Sequence, residues 1–134
     1  VTRRAALALL AAQAGAEEDR ARRLVLDASR TLQEGEAWRF LRAFDKKRYE
    51  HYQALRESVQ ALTAQRTIAS SVAITTLEES SGRAVLEVDW LLQLTYPRDP
   101  GKLEDRRETV RVEIDLTGKK PRITGLAPIT LFRP

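Results

Sequence analysis

Few side chains in this chain have a type that does chemistry. His51 is the single histidine, and there is no cysteine. Composition therefore excludes disulfides, thiolate metal sites, cysteine catalysis and a lipidated cysteine. A serine nucleophile would have only His51 as its imidazole base, and no G-x-S-x-G turn exists to present one. The carboxylates are scattered, without the D-x-D-x-D-G spacing of a calcium loop, and no glycine-rich phosphate loop occurs. No metal and no other cofactor is implied. Two kinds of group remain. Carboxylates such as Asp45, Glu87, Asp89, Glu113 and Asp115 could trade protons near neutrality if an apolar site raised their pKa. Aromatic side chains offer an apolar body, several with one polar edge. Trp38, Phe44, Tyr52, Trp90 and Tyr96 are the candidate ligand-binding residues, with Tyr49 beside them. The same side chains would serve equally as ordinary core.

The elements that must position these groups change period along the chain. From Glu17 to Glu34, Ala21, Leu24, Val25, Ala28 and Leu32 fall on one helical face. Glu17, Glu18 and Asp19 suit the positive end of that helix, and Gly35 suits its stop. A short helix from Glu36 to about Asp45 buries Ala37, Phe40, Leu41 and Phe44, with Trp38 beside the stripe. A third, from about Tyr49 to Gln65, carries Tyr52, Leu55, Val59 and Leu62. After Arg66 the period becomes two. The first strand carries Ile68, Ser70, Val72, Ile74 and Thr76 on one face. The turn Glu78–Gly82 leads to a long strand, Arg83 to Tyr96. One of its faces is Ala84, Leu86, Val88, Trp90, Leu92, Leu94 and Tyr96. A loop is expected over Pro97–Asp105, a third strand over about Arg106–Leu116 and a last one from Arg122 to about Phe132. Helices grouped ahead of strands joined by short turns predict an α+β fold. Its three N-terminal helices pack on an antiparallel meander of four strands.

The first 16 residues read as an address. Arg3 and Arg4 form a basic start, Ala5–Ala12 is uncharged and apolar, and Ala14-Gly15-Ala16 is an A-x-A cleavage signal. This predicts an exported protein, periplasmic or extracellular, by the general or the twin-arginine route. The domain would then be residues 17–134. The apolar part is too short to be a permanent span. The whole chain has 134 residues and a net charge of +4. Without residues 1–16, Lys plus Arg falls from 23 to 21 while Asp plus Glu stays at 19, leaving about +2. The basic pI of about 9.8 is thus partly the address. The densest basic run, Lys46-Lys47-Arg48, suits a solvated helix start, and no nucleic-acid partner is expected.

The order of elements, and the segment Leu32-Gln33-Glu34-Gly35-Glu36-Ala37-Trp38-Arg39-Phe40-Leu41-Arg42-Ala43-Phe44-Asp45, resemble the nuclear transport factor 2-like superfamily. In that family a helix ends at glycine, an acidic residue follows, and an apolar helix ends in Phe-Asp. The resemblance covers roughly residues 17–134. It implies a cystatin-like cone, a curved sheet wrapped round the helices with a pocket at its open end. Dimers through the outer sheet face are implied too. Family enzymes of the SnoaL or ketosteroid isomerase type place acids and bases inside the cone. By parity, the inward faces here offer none except Tyr96, and Glu87, Asp89, Glu113 and Asp115 fall outside. The last strand has no carboxylate or histidine. A one-residue bulge would reverse the assignment. The leading expectation is a non-catalytic domain that binds a small apolar ligand or a protein partner. The alternative is a small isomerase, cyclase or hydrolase using Asp45, His51 or Tyr52. Asp45 also reads as a helix-terminal cap, and His51 as a surface residue.

Overall fold

The computed structural model describes the backbone of residues 3–134 and the side chains from Gly15 onward. The basic and apolar parts of the expected export signal, with Ala14 of its expected cleavage site, lie outside the described side chains. Helix α1 spans Arg3–Gln33, so it starts well before Glu17. Glu17, Glu18 and Asp19 are therefore within the helix rather than at its positive end. They pair instead with arginines one turn on, Arg20 with Glu17 at 3.0 Å and Arg22 with Asp19 at 3.3 Å. Ala21, Val25, Ala28 and Leu32 form the buried stripe. The helix stops as expected at Gly35, whose φ of +79° lies in the left-handed region.

Helix α2 is shorter than expected, Ala37–Leu41. After it the chain hydrogen-bonds to the sheet: Asp45 N donates to Ile123 O, and Ile123 N to Ala43 O, both at 2.8 Å. Backbone pairing with β4 replaces the last helical turn. Helix α3, Tyr52–Gln65, buries Leu55, Val59 and Leu62 completely. Each such side chain contributes roughly 1.5–3 kcal/mol by leaving water.

The strands β1 (Thr67–Ser80), β2 (Arg83–Tyr96), β3 (Asp99–Asp115) and β4 (Arg122–Ala127) form one antiparallel meander in chain order. Ser81 and Gly82 alone join β1 to β2, both with positive φ, as a two-residue hairpin of matching twist demands. A Cβ at Gly82 would stand 2.5 Å from Thr117 Cγ2, so that position needs glycine twice over. Three expectations change here. A bulge in β1 leaves Thr75 unpaired between Ile74 and Thr76, so Leu77 rather than Thr76 continues the inner face. Strand β3 begins at Asp99, not Arg106, because Tyr96 pairs with Asp99 and Thr95 with Leu103. The spare residues Pro100–Lys102 absorb the irregularity that read as a loop. Strand β4 stops at Ala127, since Pro128 has no N–H to donate. The chain then makes a single 3-10 turn, Thr130–Phe132.

The inner face of β2 holds its parity: Ala84, Leu86, Val88, Trp90, Leu92 and Leu94 are all buried. The helices pack on this concave side, and Leu131 and Phe132 close over it. Apart from the exposed Leu103 the outer face is mostly polar or half-exposed, with Arg107 clamping Asp89 through two hydrogen bonds of 2.9 and 2.6 Å. Among the described residues, no helix is long and apolar enough to cross a membrane.

Candidate functional site

The inside of the cone is filled by its own side chains. Phe40 from α2, Trp90 from β2 and Phe132 from the 3-10 turn are each at most 1% exposed. Their ring centroids lie 5.3–6.4 Å apart, Trp90 meeting both neighbours edge-on. Phe44 extends the cluster, 5.2 Å from Phe40 and stacked on Tyr49 at 5.7 Å. Two of the candidate ligand residues, Phe44 and Trp90, thus meet through Phe40. The other three lie elsewhere. Tyr52 is half-buried at the start of α3. Tyr96 lies at the far end of β2 beneath the Arg66 guanidinium, 3.7 Å from its ring centre. Trp38 covers no neighbouring element and is 55% exposed.

The possible acids and bases are held in other work. Asp45 accepts hydrogen bonds from the backbone N–H groups of Lys47 and Arg48 and from Arg48 Nε at 2.8 Å. Arg48 foremost holds its carboxyl below the ordinary range. Asp45 therefore caps the turn that follows α2, and Arg48 reaches across to Asp115. His51 is exposed at the N-terminus of α3, its ring edge-on to Tyr49 at 6.2 Å. Burial pushes the Tyr49 phenol up to about 12, and its hydroxyl donates to Leu126 O at 2.6 Å.

One inference from parity needs correction. Counting back from Val110 in twos, the inner face of β3 continues through Glu108, Arg106 and Glu104, so it is not free of carboxylates. Glu104 lies before the start expected for this strand, while Arg106 and Glu108 fall within it but break the apolar run that marks its inner face. Arg106 is buried and donates to Glu104 at 2.6 Å and to the carbonyls of Leu131 and Arg133. Arg106 holds Glu104 below the ordinary range. Arg66 is buried beside it, 4.0 Å from Glu104, with Nε and Nη1 unpartnered. Glu108 accepts from the Thr130 hydroxyl at 3.3 Å. The inner charges tie down the C-terminal segment. Among the described residues, no three carboxylate or histidine side chains converge as they would round a metal ion.

A cleft of about 660 Å³ lies on the other side of the helices. Arg20, Arg23, Asp27, Arg30 and Glu34 on α1 form one wall, above a floor of Leu24. Trp38, Arg39 and Arg42 form a second, and Lys120–Arg122 at the start of β4 a third. The Arg39 and Arg42 guanidiniums lie 5.3 and 5.6 Å from the centre of the Trp38 ring. Arg122 donates to Arg42 O at 2.7 Å and fixes the third wall to the second. The i, i+3, i+7 spacing of the α1 residues is legible in the sequence, off the apolar stripe of the helix. A smaller cleft of about 270 Å³ runs from Arg48–His51 to Arg111, Glu113 and Gly125.

No protein-family model and no curated protein sequence matches the chain. Solved structures do. A protein of Novosphingobium aromaticivorans described as an aromatic ring hydroxylase superposes with a TM-score of 0.66 at 10% identity, over 82% of this chain and 85% of that one. The beta subunit of benzoate 1,2-dioxygenase from Burkholderia mallei gives 0.57 at 16% identity, over 78% and 84%. An NTF2-like designed protein gives 0.57 at 14% identity, over 82% and 96%. At such identities only the backbone arrangement is shared. Three helices packed on a four-stranded antiparallel meander, superposing on these structures, give this chain the nuclear transport factor 2-like fold.

Proposed function

We propose that this chain is an exported, non-catalytic binding domain that works through its outer surfaces on a protein partner. The observation that carries this reading is the occupied cone. Phe40, Trp90 and Phe132 fill the space where a small apolar ligand would sit, and both clefts lie outside it. The fold is compatible with such a role, since the benzoate 1,2-dioxygenase chain is itself a beta subunit. Export rests on the order of charge, apolar stretch and small residues in 1–16. Among the described residues the large cleft is lined only from Arg20 onward, beyond a cleavage after Ala16.

Native mass spectrometry of the protein recovered after secretion tests both parts. The expected species begins at Glu17 and carries no retained small molecule, as a monomer, a dimer or a complex with another chain. An uncleaved chain confined to the cytoplasm would overturn export. A co-purifying apolar molecule, lost on Trp90→Phe, would overturn the filled cone.

A further inference from the structure

We propose that the cleft between α1, α2 and the start of β4 is a docking groove for an acidic, extended segment of a partner protein. This deepens the protein-binding reading above and rests on it. The first argument is charge. Seven basic and two acidic side chains line the groove. The two acids are already engaged: Asp27 with Arg30 at 3.6 Å, and Glu34 with Arg30 at 2.9 Å and Arg39 at 2.8 Å. Arg23, Arg42 and Lys120 pair with no carboxylate among the described residues. Among the described residues, these three and Arg122, which meets only the Arg42 carbonyl, face one open cleft with no carboxylate to neutralise them.

The second argument is shape. The α1 wall runs from Arg20 to Glu34. At ~1.5 Å per helical residue this is about 21 Å, a length that ~six residues of extended chain would span. A free phosphate or carboxylate would occupy a small part of it. The third argument is Trp38. It is one of three large apolar side chains exposed among the described residues, and the Arg39 and Arg42 guanidiniums lie over its ring. It offers a flat apolar anchor with positive charge close by for Asp or Glu neighbours. Export, part of the reading on which this proposal rests, favours a protein segment over nucleic acid as the occupant.

The test uses the intact protein and a library of eight-residue peptides with Asp or Glu at four positions. Acrylamide quenching reports on Trp38, since Trp90 is buried. Acidic peptides should protect Trp38, and a Trp38→Phe variant should lose the signal. The Arg23→Ala, Arg42→Ala, Lys120→Ala triple variant changes exposed side chains only. It should fold normally by circular dichroism yet bind about tenfold more weakly. Raising salt from 0.1 to 1 M should weaken binding as screening shortens from ~10 to ~3 Å. Three results would overturn the proposal: no binder in the acidic library, equal binding by a basic library, or tighter binding of a single-stranded oligonucleotide. None of these concerns the cone, so a failure here is distinguishable from a retained small molecule, which would sink the broader reading instead.

Discussion

The indole N–H of Trp90 donates to the hydroxyl of Ser70 at 2.9 Å, and that hydroxyl lies 2.7 Å from the hydroxyl of Ser29. One small polar chain therefore joins β2, β1 and α1 behind the aromatic cluster. A buried indole needs an acceptor, and Ser70 is the residue of β1 that provides it. Ser70→Ala strands the donor in an apolar setting and should cost about 1–3 kcal/mol of stability. Urea denaturation followed by Trp90 fluorescence measures it. Ser29→Ala should cost less, because Ser70 still accepts from Trp90. Equal losses would show that the indole contact is not the one that matters.

Tyr49 gives a spectroscopic prediction. Its phenol is pushed up to about 12 in the fold, against an ordinary value of 10. The protonated form is favoured in the native state, so this contribution is complete below pH 10 and lost as pH rises through about 12. Absorbance titration should show a tyrosine step near 12, and Tyr49→Phe should abolish it. That variant also frees Leu126 O of its hydroxyl donor and should cost roughly 1 kcal/mol.

At the acid end the sign is opposite. Asp115 is lowered from 3.8 to about 2, first by the hydroxyl and N–H of Thr117 and then by Arg48. Asp45, Asp89 and Glu104 are lowered as well, each chiefly by an arginine. Stability from these groups is present above their unfolded values near 4 and is lost as pH falls through the folded ones. Acid unfolding should begin below about pH 4, and Asp115→Asn should flatten the dependence between about 4 and 2. A midpoint above pH 5 would point to another group.

The two buried arginines should respond differently to the same change. Arg106 holds Glu104 and two carbonyls of the C-terminal segment, so Arg106→Met should be destabilising by about 2–4 kcal/mol. Arg66 keeps two nitrogens unpartnered and has only its stacking on Tyr96 and a distant Glu104. Arg66→Met should be neutral or raise the melting temperature. A large loss at Arg66 would mean that a group outside the chain normally satisfies it.

Much of the fold was legible because the hydrophobic period is strong where burial is complete. The β2 boundaries and inner face were read correctly because seven alternating apolar positions leave one register. The errors fall where local signals compete with pairing. Pro97, Pro100 and Gly101 read as a loop although the backbone beyond them pairs with β2. Phe44 sits on a bridge to β4 rather than in a helix because a contact 79 residues away decides it. The candidate site was less legible. Aromatic residue types are alike in sequence, yet Trp90 is sealed in and Trp38 lies open. Arg66 and Arg106 carry no pattern of their own, since arginine in a strand normally marks the wet face.

The backbone link from Ala43 and Asp45 to Ile123 has a consequence for how the sheet meets other chains. It uses the outward N–H and C=O of Ile123 in the short strand β4, so that border cannot easily accept a further strand. At the opposite border, β1, Gln33 Oε1 accepts the backbone N–H of Ser70. From Ser71 to Ser80 β1 carries no proline and no lysine, the usual guards of an open edge. The bulge at Thr75 takes their place, breaking the flat run of backbone groups into two short pieces. Removing that one residue would regularise the strand, and would turn a discrete domain into one able to pair with its neighbours edge to edge.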